Sequence, residues 1–222
     1  MQGPARRRSA SFCRWLWVLV GFGCGLPGLA ATYYVATSGH DTNAGTLSAP
    51  WRSVQKAANT LAPGDTVLVR DGIYPEAVVV NVSGNAAAGP VTFQNYPGET
   101  PVVDGAGLIV PDGNAGLFLI TDRSHVTIQG FEIRNYQTNS RSLVPAGIWI
   151  SGAAHSINII SNRIHDIGNE YHQGSTQGNA FGLAVYGNTR TPITSLVIRG
   201  NELFNLRTGT SESLVLNGNV AN

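Results

Sequence analysis

Three stretches of this 222-residue chain can be laid over one another residue for residue. They are Val126-Thr-Ile-Gln-Gly-Phe-Glu-Ile-Arg-Asn135, Ile157-Asn-Ile-Ile-Ser-Asn-Arg-Ile-His-Asp166 and Leu196-Val-Ile-Arg-Gly-Asn-Glu-Leu-Phe-Asn205. A shorter match precedes each: Gly116-Leu-Phe-Leu-Ile120, Gly147-Ile-Trp-Ile-Ser151 and Gly182-Leu-Ala-Val-Tyr186, with a fourth copy at Ser213-Leu-Val-Leu-Asn217. Period-2 apolar alternation inside a repeat of about 20–30 residues marks strands stacked coil upon coil. The fold class is therefore all-β, a parallel β-helix.

Read down the columns, Leu117, Ile148, Leu183 and Leu214 coincide, as do Leu119, Ile150, Val185 and Leu216. Strand alternation turns both columns into the coil and leaves Phe118, Ile120, Trp149, Tyr186 and Val215 facing out. In the longer match Ile128, Ile159 and Ile198 stack, then Ile133, Ile164 and Leu203, with turns at Gly130-Phe131, Ser161-Asn162 and Gly200-Asn201. Asn162 thus lies over Asn201, and Asn135, Asp166 and Asn205 form another column. Stacked asparagines can hydrogen-bond along the axis and satisfy turn backbone inside the coil.

Looser copies continue upstream, with Asp65–Arg70 and Ala77–Asn81 as a first coil and Pro90–Gln94 and Pro101–Gly105 as a second. Before them Ser53 is placed to N-cap a short helix whose Val54, Ala57, Ala58 and Leu61 share a face, ended by Ala62-Pro-Gly64. An open solenoid end needs such a cover. The expected division is residues 1–30 as a leader, 31–64 as the lead-in with its capping helix, and 65–222 as about five coils with a partial sixth.

Arg6, Arg7, Arg8 and Arg14 precede an apolar run, Trp15 to Leu26, that leaves through Pro27-Gly28-Leu29-Ala30. A basic start, a run too short to span a bilayer and a small-residue exit make a secretory signal peptide, with cleavage expected after Ala30. The expected location is secreted, periplasmic or at the cell surface, with no membrane partner once the leader is gone. Cys13 and Cys24 both lie in that leader, so a processed chain holds no thiol and no disulfide. Of 14 Lys and Arg, four fall in the leader, which leaves ten against 13 Asp and Glu, a net charge of −3. That balance argues against nucleic acid as a partner.

Tyr33-Tyr-Val-Ala-Thr-Ser-Gly-His-Asp-Thr-Asn-Ala-Gly-Thr46, Pro50-Trp51 and Ala62-Pro-Gly-Asp-Thr-Val-Leu-Val69 resemble the N-terminal part of secreted right-handed parallel β-helix proteins of the pectate-lyase-like superfamily. The likeness points most closely to family 9 polysaccharide lyases and extends over the whole processed segment. It implies right-handedness, a cleft along the Gly-Leu-x-Leu strands, an acidic polysaccharide as partner, and Ca²⁺ as the family's bridge to a uronate. The loops that lead into those strands, 136–146, 167–181 and 206–212, vary in length, which is where function sits on a rigid scaffold.

Outward Trp149 and Tyr186 are candidate stacking platforms for a sugar ring, or else a stripe buried under the loops. Glu170 and Glu212 are candidate metal ligands, since carboxylate oxygens suit Ca²⁺, and Arg207 is a candidate partner for an acidic sugar. Lyase chemistry removes the C5 proton of a uronate and needs a base. The single lysine, Lys56, lies on the capping helix, so the base is unassigned. A non-catalytic glycan-binding surface β-helix and a β-helix glycosidase are the alternatives. The sixth coil breaks off near Asn222, which leads us to expect an incomplete chain that lacks the coils carrying the base and self-associates through its open end.

Overall fold

The computed structural model describes Gly3, residues 30–188 and residues 190–221. The expected leader, residues 1–30, lies outside the described residues apart from Gly3 and Ala30. Among the described residues no helix is long and apolar enough to cross a membrane.

The chain winds through three parallel sheets. The first contains Val78–Val79, Ala115–Thr121, Pro145–Gly152, Phe181–Gly187 and Leu214–Asn217. The second contains Thr32–Val35, Thr66–Val69, Val91–Asn95, Ser124–Gln129, His155–Ile160 and Thr194–Arg199. The third is narrow: Ile73–Tyr74, Val102–Asp104, Glu132–Arg134, Arg163–His165 and Glu202–Phe204. Each coil passes through the second, third and first sheets in turn, and each strand pairs with its counterpart one coil away.

The expected columns hold in two of these sheets. Ile159 pairs with Ile128 and Ile198, and Ile164 with Ile133 and Leu203. Between the second and third sheets Gly130, Ser161 and Gly200 all take positive φ, at 75°, 52° and 66°. The residue after each of the last three third-sheet strands, Asn135, Asp166 or Asn205, is left-handed as well, a conformation that Asn and Asp tolerate best after glycine. Asn162 is fully buried. Its Oδ1 accepts the Phe131 N–H at 3.0 Å and its Nδ2 donates to the Ile128 carbonyl at 3.0 Å. Its backbone N–H donates to Asn201 Oδ1 at 2.9 Å, and Asn201 Nδ2 reaches the Ile159 carbonyl at 2.8 Å. The turn backbone that the sheets leave unpaired is thereby satisfied.

The first sheet corrects the alignment by one residue at Ala115–Thr121. Phe118 pairs with Ile148 and Ile120 with Ile150, so both face inward and Leu119 faces out. Phe118 meets Phe93 and Phe131 edge-on, with ring centroids 6.4 and 5.3 Å apart. Leu117 is also fully buried and falls level with Gly147 and Gly182. A Cβ on Gly147 would stand 2.4 Å from Ile164 Cγ2, and one on Gly182 2.7 Å from Leu203 Cδ2, so this position points into the core. Two consecutive residues thus turn inward near the start of these three first-sheet strands, and a strict period of two fails there. Further up the strands the columns are as expected: Ile148, Leu183 and Leu214, then Ile150, Val185 and Leu216.

The capping helix spans Val54–Ala58, with Ser53 Oγ accepting the Lys56 N–H and Asn59 closing the end. It is a turn shorter than the apolar spacing suggests, although Leu61 is still buried. Glu76, from the first coil, takes the Val54 and Gln55 N–H groups at 2.8 and 2.9 Å. Gln55 in turn pairs with the edge of Val78–Val79, its Nε2 donating to the Val79 carbonyl and its Oε1 accepting the Val79 N–H. One glutamine side chain therefore stands in for the missing neighbour strand at the open edge.

Candidate functional site

The outer face of the first sheet carries two cross-strand rows, Leu119–Trp149–Ala184–Val215 and Thr121–Ser151–Tyr186–Asn217. Trp149 points outward as expected, yet it is only 8% exposed. Phe181, which opens its first-sheet strand, and Val144, just before Pro145–Gly152, pack against it beside Ala146 and Ala184. Of the two readings open for Trp149, the buried one holds: it is part of a second, small apolar core. Tyr186 stacks on Trp149 with centroids 5.2 Å apart and planes 11° apart, and Phe181 meets both rings edge-on. Tyr186 stays half-buried and is the ring this cluster presents at the surface. Trp149 Nε1 is buried with no hydrogen-bond partner among the described residues.

The loops beside this face are pinned. Gln137–Thr138 pairs in parallel with Gly168–Asn169, and Gly168 bridges to Arg207, so all three loops leave the third sheet as a short ladder. Asn169 is 6% exposed, and its Nδ2 donates to the Ser140 and Leu143 carbonyls at 2.9 and 2.8 Å. Its Oδ1 accepts the Tyr171 N–H at 3.0 Å. One side chain thus ties the loop of one coil to the loop of the next. Beyond it His172–Gln173 and Thr176–Gln177 form an antiparallel hairpin, an element the repeat pattern did not show.

A polar hollow of about 430 Å³ opens between these loops, lined by Glu170, Tyr171, His172, Gln177, Arg207 and Thr208 among others. A second, of about 400 Å³, lies between Gly105–Leu108 and Asn135 with Gln137. Within the first, Arg207 Nη1 donates to Glu170 Oε1. Two residues expected to act separately, Glu170 on a metal and Arg207 on a substrate, are therefore partners. Glu212 is exposed just ahead of Leu214–Asn217 and is not part of this lining.

Calcium takes six to eight oxygen ligands. Among the described residues no group of three or more Asp, Glu, His or Cys side chains could hold a metal, and Glu170 is already engaged by Arg207. Lys56 is also remote from the loops, with its ammonium 5.7 Å from the centroid of the Trp51 ring at the capped end.

The outer face of the third sheet is a charge ladder that the sequence reading passed over. Arg134 joins Asp104 at 2.9 Å to Glu132 at 2.5 Å, and Arg163 reaches Glu132 and Glu202. His165 lies between Glu132 and Asp166 with its ring stacked on Phe204. Asp166 is accordingly a structural residue of this face and does not join Glu170.

Residues 33–199 match the family described as Pel9A-like, right handed beta helix region. The uncharacterized protein YwoF of Bacillus subtilis is 34% identical over 187 residues, which cover 84% of this chain and 38% of that one. Pectate lyase PEL9 of Emericella nidulans is 29% identical over 165 residues, 72% of this chain and 40% of that one. The chain thus spans about two fifths of the length of the curated relatives it matches. Among solved structures, the GH136 lacto-N-biosidase of Eubacterium ramulus has a TM-score of 0.63 at 22% identity, over 80% of this chain and 34% of that one. Pectate lyase Pel9A has a TM-score of 0.53 at 19% identity, over 86% of this chain and 51% of that one. At such identities these two bear on the fold alone. The stacked columns, the buried asparagine turn and the family match over most of the described residues agree: the chain belongs to the Pel9A-like right-handed β-helix family.

Proposed function

We propose that this chain contributes the first coils, and part of the cleft, of an exported protein of pectate-lyase lineage that acts on an acidic polysaccharide. The family membership supports the lineage. The observation that carries the acidic substrate is the Glu170–Arg207 pair on the rim of the loop hollow.

The Arg207 side chain is 67% exposed and that of Glu170 39%. An ion pair so open to water is worth about 0–1 kcal/mol, so another carboxylate can replace Glu170 at small cost. A guanidinium offers a planar, bidentate fork to a uronate. Successive coils lie about 4.8 Å apart, a step comparable with the length of a pyranose ring, so a sugar chain along the axis meets loop after loop. Tyr186, held flat by Trp149, supplies a ring edge beside that track. Proton removal at C5 needs a base and stabilisation of the developing charge. In this reading the base and any calcium ligands are supplied by parts of the protein beyond these coils.

The test is to incubate the whole protein, with calcium, with polygalacturonate and other polyuronates and to follow the unsaturated uronate chromophore. Chromophore formation that falls in Arg207→Ala supports the reading. No chromophore on any polyuronate removes the lyase claim. Reducing ends without chromophore point to hydrolysis, and binding without turnover points to a non-catalytic glycan binder.

A further inference from the structure

Among the described residues Asp65 is a buried carboxylate without a cation. It is 5% exposed and follows the Ala62-Pro63-Gly64 turn at the start of the first coil. Its Oδ2 accepts the Ala62 N–H at 2.8 Å, and its Oδ1 accepts the backbone nitrogen of Ala31 at 2.8 Å. Among the described residues no Lys, Arg or His pairs with it. Asp104, comparably buried at 6%, has Arg134 against it at 2.9 Å. A carboxylate withdrawn from water is costly unless it gains an opposite charge as well as hydrogen bonds.

Ala31 occupies a particular place in the chain. It follows the small-residue exit that ends at Ala30, in the position that signal-peptide patterning assigns to a new N-terminus. It also starts the fold: its carbonyl accepts the Thr66 N–H at 2.9 Å, one residue before Thr32–Val35 begins to pair with Thr66–Val69. The nitrogen that points at Asp65 is therefore the atom that leader removal would turn into an amine.

We propose that hydrolysis of the Ala30–Ala31 peptide bond sets the new α-ammonium of Ala31 on the Asp65 carboxylate. The oxygen of water goes to the Ala30 carboxyl, which leaves with the leader, and the freed amine takes up a proton. A backbone hydrogen bond thereby becomes a partly buried ion pair that ties the first strand of the second sheet to the first coil. Processing in this way completes the folded state. The pair involves no sugar-facing residue, so it stands or falls separately from the polysaccharide reading.

Three measurements test it. The intact mass of the exported protein should correspond to a chain that begins at Ala31; a mature chain beginning elsewhere overturns the proposal. A chain with one glycine added before Ala31 keeps the backbone N–H but moves the ammonium one residue away from the Asp65 contact, and should melt about 4 °C or more below the mature chain. Equal melting temperatures overturn it. In Asp65→Asn the difference between these two N-terminal forms should vanish, and a difference that persists overturns it. Should that variant fail to fold, an N-terminally acetylated mature chain takes its place: it should melt with the glycine-extended form, and melting with the free amine overturns the proposal.

Discussion

Asn162→Ala tests the internal asparagine ladder at its most buried point. The substitution keeps the backbone N–H that Asn201 Oδ1 accepts but deletes the groups that hold the Phe131 N–H and the Ile128 carbonyl. Asn162, Ile128 and Phe131 are all buried, so water does not readily replace the lost partners. Leaving a buried donor or acceptor unmet costs about 1–3 kcal/mol, which gives about 2–6 kcal/mol for the two. At about 2–4 °C per kcal/mol for a chain of this size, the melting temperature should fall by roughly 10 °C. Asn201→Ala removes the partners of the Asn162 N–H and the Ile159 carbonyl, and should destabilise as well. Urea denaturation with an unchanged m-value reads both differences as stability. A loss for Asn162→Ala below about 1 kcal/mol would refute the argument that the ladder satisfies buried backbone.

Gly147→Ala should destabilise by about 1–3 kcal/mol through overpacking, since its Cβ would meet Ile164 at 2.4 Å and the Gly182 carbonyl at 2.7 Å; an unchanged melting temperature would contradict the inward turn at that residue. Burial pushes the Asp104 carboxyl up, but hydrogen bonds from Arg134, the Ala106 N–H and Asn135 outweigh it and hold it below the ordinary value. A lowered folded-state pKa contributes stability that is present above the unfolded value, about 3.9, and is lost as pH falls through the folded one. Asp104→Asn should therefore be destabilised at neutral pH and converge on wild type in acid, and a gap that stays constant on acidification would show that the charge is not responsible. Leu214 and Leu216 are 39% and 52% exposed on the outermost first-sheet strand, whereas Ile148 and Ile150 are fully buried. Their amides should exchange hydrogen well before those of the central strand, and equal protection in a monomer would show that this edge is covered.

The parts of the fold legible in the sequence were those where apolar and polar residues alternate. Ile157-Asn-Ile-Ile and Leu196-Val-Ile-Arg gave the second-sheet columns because only one register puts isoleucine on isoleucine. The turn asparagines could be read because each coil offers one short turn of fixed length. Gly116-Leu-Phe-Leu-Ile120 misled because every residue after the glycine is apolar, so hydrophobicity does not say which ones face in. The glycine match then placed Gly116 over Gly147, whereas Leu117 holds that position. Trp149 was legible as outward, with exposure and burial both left open, because what covers it, Phe181 and Val144, lies at the ends of loops of irregular length. For the same reason the Glu170–Arg207 pair was out of reach: its members are 37 residues apart, in loops that no repeat aligns. The charge ladder of the third sheet could have been found by applying the column argument to Arg134, His165 and Phe204.

The most direct test of the central claim is a binding isotherm for polygalacturonate, set beside its methyl-esterified, uncharged counterpart. The account predicts that the acidic polymer binds and the ester does not, that Arg207→Ala weakens binding at least about tenfold, a loss of 1.4 kcal/mol, and that Glu170→Gln binds as well as wild type or better. Equal affinity for the charged and the esterified polymer, or an Arg207→Ala variant that binds like wild type, would contradict it.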